Sequence, residues 1–242
     1  MRQLSKRLNA VAELLVHGID QLELEQPVLA DIGTDHAYLP VYLVQKKVVK
    51  KAYAADVRKG PLLHAKEHIE QYGLGEYIQT RLSDGGESFV PGESEVAVIA
   101  GMGGGVTLHI LQDGEAVIAS AKELILQPQS DIAKVREYIY RKGYVIDRED
   151  MVFEDGKYYP MMKVKPGEMT GESWKPEELE YGKYLLDTAH PVLKQFLERE
   201  IQICHGVLES LAKQDTKRAK ERRREMEEQI QHVQHILETY FA

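Results

Sequence analysis

Among 242 residues the sequence holds a single cysteine, Cys204. One thiol cannot close an intrachain disulfide or build a thiolate zinc site, so neither a disulfide scaffold nor a zinc finger is available. No apolar run approaches the roughly 18 residues needed to cross a bilayer, which argues against a membrane protein. The opening residues lead into a helix interrupted by Glu13 and His17, not into the apolar centre of a secretion signal. A reducing cytoplasm is the expected compartment. Nine prolines and 19 glycines are too few for a collagen-like or wholly disordered chain. Positive charge is also scarce: 31 Lys and Arg face 39 Asp and Glu, a net −8. That argues against coating nucleic acid by bulk charge and directs attention to local basic clusters. A phosphate-cradling G-x-x-x-x-G-K-[ST] string is missing.

What is present is alternation. Leu4, Leu8, Val11 and Leu15, spaced 4, 3 and 4, predict an amphipathic helix with Gly18 as its stop. Residues 27–33 read as a buried parallel strand, and Pro40 opens a second helix. Strands follow at 52–57, 77–81, 96–100 and 123–127. Helices are expected at 61–72, with Gly73 as cap, and from a Ser130 cap to Gly143. Such alternation means a parallel sheet covered on both faces. Asp155-Gly156, between the apolar stretches 151–153 and 158–164, then predicts a terminal antiparallel hairpin, with Pro160 at an edge or bulge. Residues 166–176 read as a linker. Beyond them Leu193, Leu197, Ile201, Cys204, Leu208 and Leu211 form one helical stripe, and Met226, Ile230, Val233, Leu237 and Tyr240 another. The fold class is therefore α/β, a Rossmann-like and mostly parallel sheet at 1–165 followed by an antiparallel helical coiled-coil domain at 172–242.

Ligands of open α/β sheets bind outside the carboxyl ends of the strands. Every strand-end junction here is acidic or glycine-rich: Asp31-Ile32-Gly33-Thr34-Asp35-His36-Ala37, Asp56, Asp84-Gly85 and Gly101-Met102-Gly103-Gly104. Any one of them could be only a turn or a helix cap. Four at one edge favour a nucleoside-type ligand, with Asp56 placed to accept from ribose hydroxyls. A dinucleotide turn would need G-x-G-x-x-G, yet Asp35 stands where the second glycine belongs, and a carboxylate repels pyrophosphate. The same carboxylate attracts the sulfonium and α-ammonium of S-adenosylmethionine. The Asn-Pro-Pro-Tyr string of adenine-N6 enzymes is absent.

Leu4-Ser5-Lys6-Arg7-Leu8, Ala30-Asp31-Ile32-Gly33-Thr34-Asp35-His36-Ala37-Tyr38-Leu39-Pro40, Asp84-Gly85 and Ala100-Gly101-Met102-Gly103-Gly104, in this order, resemble the bacterial tRNA (adenine-22-N1)-methyltransferase family over nearly the whole chain. The resemblance implies a class I methyltransferase domain followed by a helical coiled coil. It implies that Asp31, Gly33, Asp35 and His36 line the donor's methionine end, that Asp56 takes the ribose, and that Asp84 with Gly85 takes the adenine ring. Gly101 to Gly104 should sit where donor methyl and target base meet, with Asp31, Gly101, Met102 and Gly103 as the candidates for catalysis. No catalytic base is required, because adenine N1 carries a free lone pair. The thinned glycine loop leaves open which backbone amides hold the donor carboxylate.

Other residues carry plainer readings. His36 could orient the loop, Tyr38 and Met102 could simply pack, and Gln127-Pro128 reads as a strand exit. For tRNA phosphates the candidates are Lys6 and Arg7, which have no acidic neighbour along the first helix, and Arg222, Arg223 and Arg224 within a basic run at 213–224. That run could equally be a solvated helix face. No metal and no membrane partner are expected. The sequence does not choose between monomer and weak dimer. Three competing readings are a methyltransferase of a small molecule, a non-catalytic RNA-binding module and a nucleotide-dependent oxidoreductase, the last opposed by Asp35 and the hairpin.

Overall fold

The computed structural model describes residues 3–167 and 174–242. The chain divides into two compact units, 1–174 and 175–242. Residues 168–173, most of the expected linker, lie outside the described residues, as does residue 172, where the expected helical domain begins.

The first unit is built on a seven-stranded sheet in the order β3-β2-β1-β4-β5-β7-β6. Strands β1 (Val28–Ile32), β2 (Lys51–Asp56), β3 (Ile78–Leu82), β4 (Val96–Met102) and β5 (Glu123–Pro128) run parallel. β6 (Val145–Glu154) and β7 (Lys157–Lys165) close the sheet antiparallel, as the Asp-Gly turn predicts. Pro160 pairs opposite Met151, past the point where β7 stops pairing with β5. Its missing N–H therefore falls on an edge portion of the strand, and the ladder's irregularity lies elsewhere, between Ile146 and Arg148.

Helix α1 (Lys6–Gln21) is capped by Ser5, whose hydroxyl accepts from Leu8 N–H. It runs three residues past Gly18. Gly18 is a site of close packing instead of a stop, since a Cβ there would collide with the Glu123 carboxylate. Helices α2 (Tyr38–Gln45) and α3 (Lys59–Gln71) share with α1 an apolar core in which Leu15, Leu29, Leu43, Val98 and Ile125 are fully buried. Helices α4 (Gly104–Asp113), α5 (Glu115–Ser120) and α6 (Ile132–Arg141) complete the unit. Asp131, not Ser130, occupies the N-cap position of α6. The Ser130 hydroxyl instead accepts from Gly104 N–H at 3.1 Å, which fixes the start of α4.

Arg136 and Lys163 are buried cations of the first unit, each held by carboxylates. Arg136 on α6 meets Glu149 on β6 at 2.7 Å, both side chains inaccessible to solvent. Lys163 on β7 lies 3.2 Å from Asp147 and 3.9 Å from Glu123, and donates to Gln21 on α1. Glu123 begins β5, so this cluster sits at the end of the sheet opposite the acidic strand termini.

The second unit begins with a π-helical turn (Glu178–Gly182) and a short helix α7 (Lys183–Asp187). Helices α8 (Pro191–Leu211) and α9 (Lys217–Tyr240) follow, joined by five residues, and pack through Cys204, Met226 and Ile230 with Ile201, Val207 and Leu208 beside them. The two stripes are thus an αα-hairpin. The buried position near the end of α9 is Ile236, with Leu237 half-buried.

Candidate functional site

A cavity of about 720 Å³ opens at the carboxyl ends of β1 to β4. Its floor and rim contain Asp31, Gly33, Asp35, Asp56, Asp84, Gly85, Gly101 and Met102. The N-terminus of α1 forms one wall through Leu4, Ser5, Arg7 and Leu8, and α2 and α3 add Tyr38, Tyr42, His68 and Tyr72. Ionisable charge in the lining is four aspartates and two arginines, Arg7 and Arg58. The site is built for a ligand bearing positive charge.

Asp31 ends β1 almost fully buried, its carboxylate accepting from the Thr34 hydroxyl at 2.6 Å. Burial pushes its pKa up to about 6. The Thr34 bond and the charge of Arg7 oppose the rise, and Asp56 adds to it. A buried carboxylate held in this state at the mouth of a cavity gains from a cationic partner. The loop that follows is strained: Gly33 takes φ +82°, and Asp35 and Ala37 adopt left-handed conformations that non-glycine residues rarely take. Gly33 and Thr34 N–H both donate to the carbonyl of Ala55 at 2.8 Å, which ties the loop to β2.

Asp56, also buried, accepts from Arg58 N–H at 2.9 Å and has the Arg58 guanidinium 3.6 Å away. At the end of β3, the Ser83 hydroxyl donates to Gly85 O and accepts from Ser88 N–H, shaping the turn that presents Asp84. Exposed Val57, Leu82 and Val106 lie beside this corner, a surface suited to a flat apolar ring.

The β4 end behaves differently from its glycine-rich appearance. Gly101 takes φ +81° and lines the cavity. A Cβ on Gly33 would stand 2.8 Å from the Met102 methyl, so Met102 packs the β4 rim onto the first loop. Gly103 and Gly104 do not reach the cavity wall. Gly103 is the N-cap residue of α4, and a Cβ on Gly104 would overlap the carbonyl of Ser130. His36 is likewise outside the wall, stacked on Tyr38 at 5.4 Å with its Nε2 3.8 Å from Asp35.

The basic candidates need correction. Lys6 and Arg7 do have an acidic neighbour, 147 and more residues away along the chain. Glu154 on the hairpin accepts from Lys6 N–H at 2.6 Å and from Arg7 N–H at 3.1 Å. Burial alone would raise the Glu154 pKa, but these two backbone donors, with the Ser5 hydroxyl and the charge of Arg7, outweigh it and hold the carboxyl below its ordinary value. A carboxylate at a helix N-terminus also complements the helix dipole. The Arg7 side chain turns into the cavity, where Nη1 donates to Gln127 Oε1 at 3.1 Å and the guanidinium lies 5.7 Å from the Tyr159 ring centre. Arg223 is committed too, donating to Leu211 O at 2.8 Å and Gln214 O at 3.0 Å, which closes the end of α8. Arg222 and Arg224 are exposed and paired with Glu225 and Glu228, each at 2.7 Å.

Sequence reasoning put Gln127 near the pocket but read it as a strand exit, and put Arg7 among the phosphate contacts; what it missed is their pairing, which spans 120 residues. Among the described residues, no group of three or more His, Cys, Asp or Glu could hold a metal ion. No described helix is long and apolar enough to cross a membrane.

Comparison with known proteins gives a consistent picture. The sequence profile of the tRNA (adenine(22)-N(1))-methyltransferase family matches residues 29–235. The Bacillus subtilis (strain 168) tRNA (adenine(22)-N(1))-methyltransferase is 32% identical over 98% of both chains. A Streptococcus pneumoniae protein solved in complex with S-adenosyl-L-methionine superposes with a TM-score of 0.82 at 31% identity, covering 97% of this chain and all of that one. An M. capricolum relative solved with S-adenosyl-homocysteine gives a TM-score of 0.77 at 27% identity over 99% of this chain and all of that one.

Proposed function

The chain belongs to the tRNA (adenine(22)-N(1))-methyltransferase family, and from that premise we infer that it transfers the methyl group of S-adenosylmethionine to N1 of adenine 22 in tRNA. The observation that carries this reading is the buried carboxylate of Asp31 at the head of a cavity rimmed by three further aspartates. S-adenosylmethionine, when bound, supplies an electrophilic methyl group on a positively charged sulfur.

The residues divide the work. Asp31, with Gly33 and Asp35 beside it, faces the cationic methionine end, and its charge attracts sulfonium and α-ammonium alike. Asp56 accepts from ribose hydroxyls, and Asp84 with Gly85 borders the adenine ring. Gly101 and Met102 form the rim where the target base meets the donor. Gly103 and Gly104 support that rim by letting α4 start close against Ser130.

Adenine N1 is nucleophilic without losing a proton. The chain's contribution is to expose and align it, and orientation of this kind supplies several kcal/mol of barrier reduction. Turning the base out of its stack costs a few kcal/mol, offset by contacts in the pocket. Methylation leaves positive charge on the base, which the carboxylate-rich rim stabilises as it develops. The tRNA phosphates are met by Arg222 and Arg224. A reducing cytoplasm, where the single buried thiol of Cys204 stays unpaired, is the proposed compartment.

The test is mass spectrometry of tRNA digested after incubation with methyl-labelled donor. Labelled 1-methyladenosine should form from a tRNA with adenine at position 22 and disappear when that position is guanine. Label in any other nucleoside overturns the assignment.

A further inference from the structure

We propose that Phe153, backed by Tyr158 at the tip of the β6–β7 hairpin, stacks on an unpaired nucleobase of tRNA adjacent to the one taken into the cavity. That contact rests on the reading of the chain as a tRNA methyltransferase and extends it to a second part of the substrate.

The tip stands at the right end of the sheet. β7 pairs with β5 only through residues 162–164, so residues 152–159 continue as a two-stranded ribbon beyond the carboxyl end of β5. That is the end at which the cavity opens. Asp155 and Gly156, both at positive φ, make a two-residue turn that sets Glu154 opposite Lys157 and Phe153 opposite Tyr158. Alternation then gives the ribbon two faces. Val152, Glu154 and Tyr159 share the face toward α1. Val152 packs on the core that α1 enters, and Glu154 accepts from Lys6 and Arg7 N–H. The Tyr159 ring centre lies 5.7 Å from the guanidinium of Arg7, itself part of the cavity wall. These contacts hold the ribbon against the cavity.

Phe153 and Tyr158 occupy the opposite face, ring centres 4.6 Å apart. A cross-strand aromatic pair stabilises a hairpin wherever it stands, but that role does not require exposure. Of the chain's four phenylalanines, all among the described residues, only Phe153 is exposed, at 39%. Tyr158 is half-buried beside it. The surroundings are polar and charged: Lys6, Asp155 and Lys157 are all exposed. A lone aromatic ring among charges suits a flat partner that carries its own charge on a separate backbone, which describes a nucleotide. Every base has a π face, so such stacking tolerates any sequence, and the two lysines can meet the flanking phosphates. The reaction itself creates the partner. Turning adenine out of its stack uncovers the faces of its neighbours, and an aromatic ring that covers one of them lowers the cost of the turn.

Filter binding with a tRNA transcript carrying adenine 22, alongside calorimetry with S-adenosylhomocysteine, tests this. Phe153→Ala should weaken tRNA about fivefold or more and leave S-adenosylhomocysteine within twofold of wild type. Phe153→Leu keeps an apolar side chain without the π face and should lose nearly as much. Phe153→Trp should stay within twofold of wild type. The chain's one tryptophan is Trp174, so Phe153→Trp with Trp174→Phe leaves a single indole at the tip. Its fluorescence should be quenched by the tRNA and not by S-adenosylhomocysteine, a readout that stays decisive if the alanine variant misfolds. Unchanged tRNA binding by Phe153→Ala, or an indole that tRNA leaves unquenched, overturns the proposal. A changed sedimentation coefficient with tRNA affinity intact also overturns it and assigns the face to a second copy of the chain. Wild-type protein that neither binds nor methylates the tRNA overturns the methyltransferase reading itself, a different result.

Discussion

Asp31 works against the free protein and in favour of the liganded one. Its carboxyl titrates at about 6 because burial penalises the charged form. Between about pH 4 and 6 the folded state therefore binds more protons than the unfolded chain, so this group's contribution to stability falls as pH rises through that window. Asn in its place keeps an acceptor for the Thr34 hydroxyl and removes the charge. Asp31→Asn should be more stable than wild type at pH 8 by ~1–3 kcal/mol and melt at a higher temperature, with the difference vanishing near pH 4. Thermal melts at the two pH values check the sign. The same variant should lose at least tenfold in donor affinity at pH 7.5. Wild-type affinity should itself weaken as pH drops from 7 to 5, because protonation removes the charge that meets the donor. A calorimetric pH series measures both.

At the scale of elements, the buried cluster on α1, β5, β6 and β7 makes a second pH-dependent device at the far end of the sheet. Burial pushes the Glu123 carboxyl up to about 7, with Lys163 opposing and Asp147 adding to the rise. Lys163→Met removes the cation common to Glu123 and Asp147. The variant should lose about 3 kcal/mol at pH 8, where Glu123 of the wild type is ionised, and less at pH 5, where Glu123 takes up a proton. Denaturant unfolding at each pH reads this directly. None of this cluster was legible from periodicity. Apolar spacing encodes which face of an element is buried, so the strands, the hairpin and the two C-terminal stripes could be placed, and with them the acidic strand ends that form the cavity rim. Which polar group a side chain meets depends on the packed whole. Gly18 looked like a helix stop because its partner Glu123 lies 105 residues downstream. Ser130 looked like a cap until α4 came against it. Arg7 looked solvent-facing because Gln127 and Glu154 arrive from β5 and β6, and Gly104 looked like a ligand contact because its neighbour Ser130 is non-local.

At the scale of the molecule, a chain of net −8 has to bind a polyanion, and the sites that do so must be local. Two compact units suggest a division of labour that can be measured. A fragment of residues 1–174 should bind S-adenosylhomocysteine within threefold of the full chain and methylate tRNA at least a hundredfold more slowly. The start of α9 is where the second unit's positive charge is concentrated. Its exposed arginines are not idle, since Arg222 holds Glu225 and Arg224 holds Glu228 at 2.7 Å. Exposed pairs of this kind are worth only ~0–1 kcal/mol, so a phosphate can displace the glutamates at little cost. Reversing Arg222 and Arg224 to glutamate should then weaken tRNA at least tenfold in 50 mM salt and flatten the salt dependence of binding, while donor affinity holds. Glu225→Gln with Glu228→Gln frees the same two arginines and should tighten tRNA several-fold. Arg223 must be left out of this set, because its bonds to Leu211 O and Gln214 O close α8, so Arg223→Glu should lower the melting temperature first. Filter binding across a salt series separates the cases. If both double variants bind tRNA as wild type does at low salt, α9 is a solvated helix face and the phosphate contacts lie elsewhere.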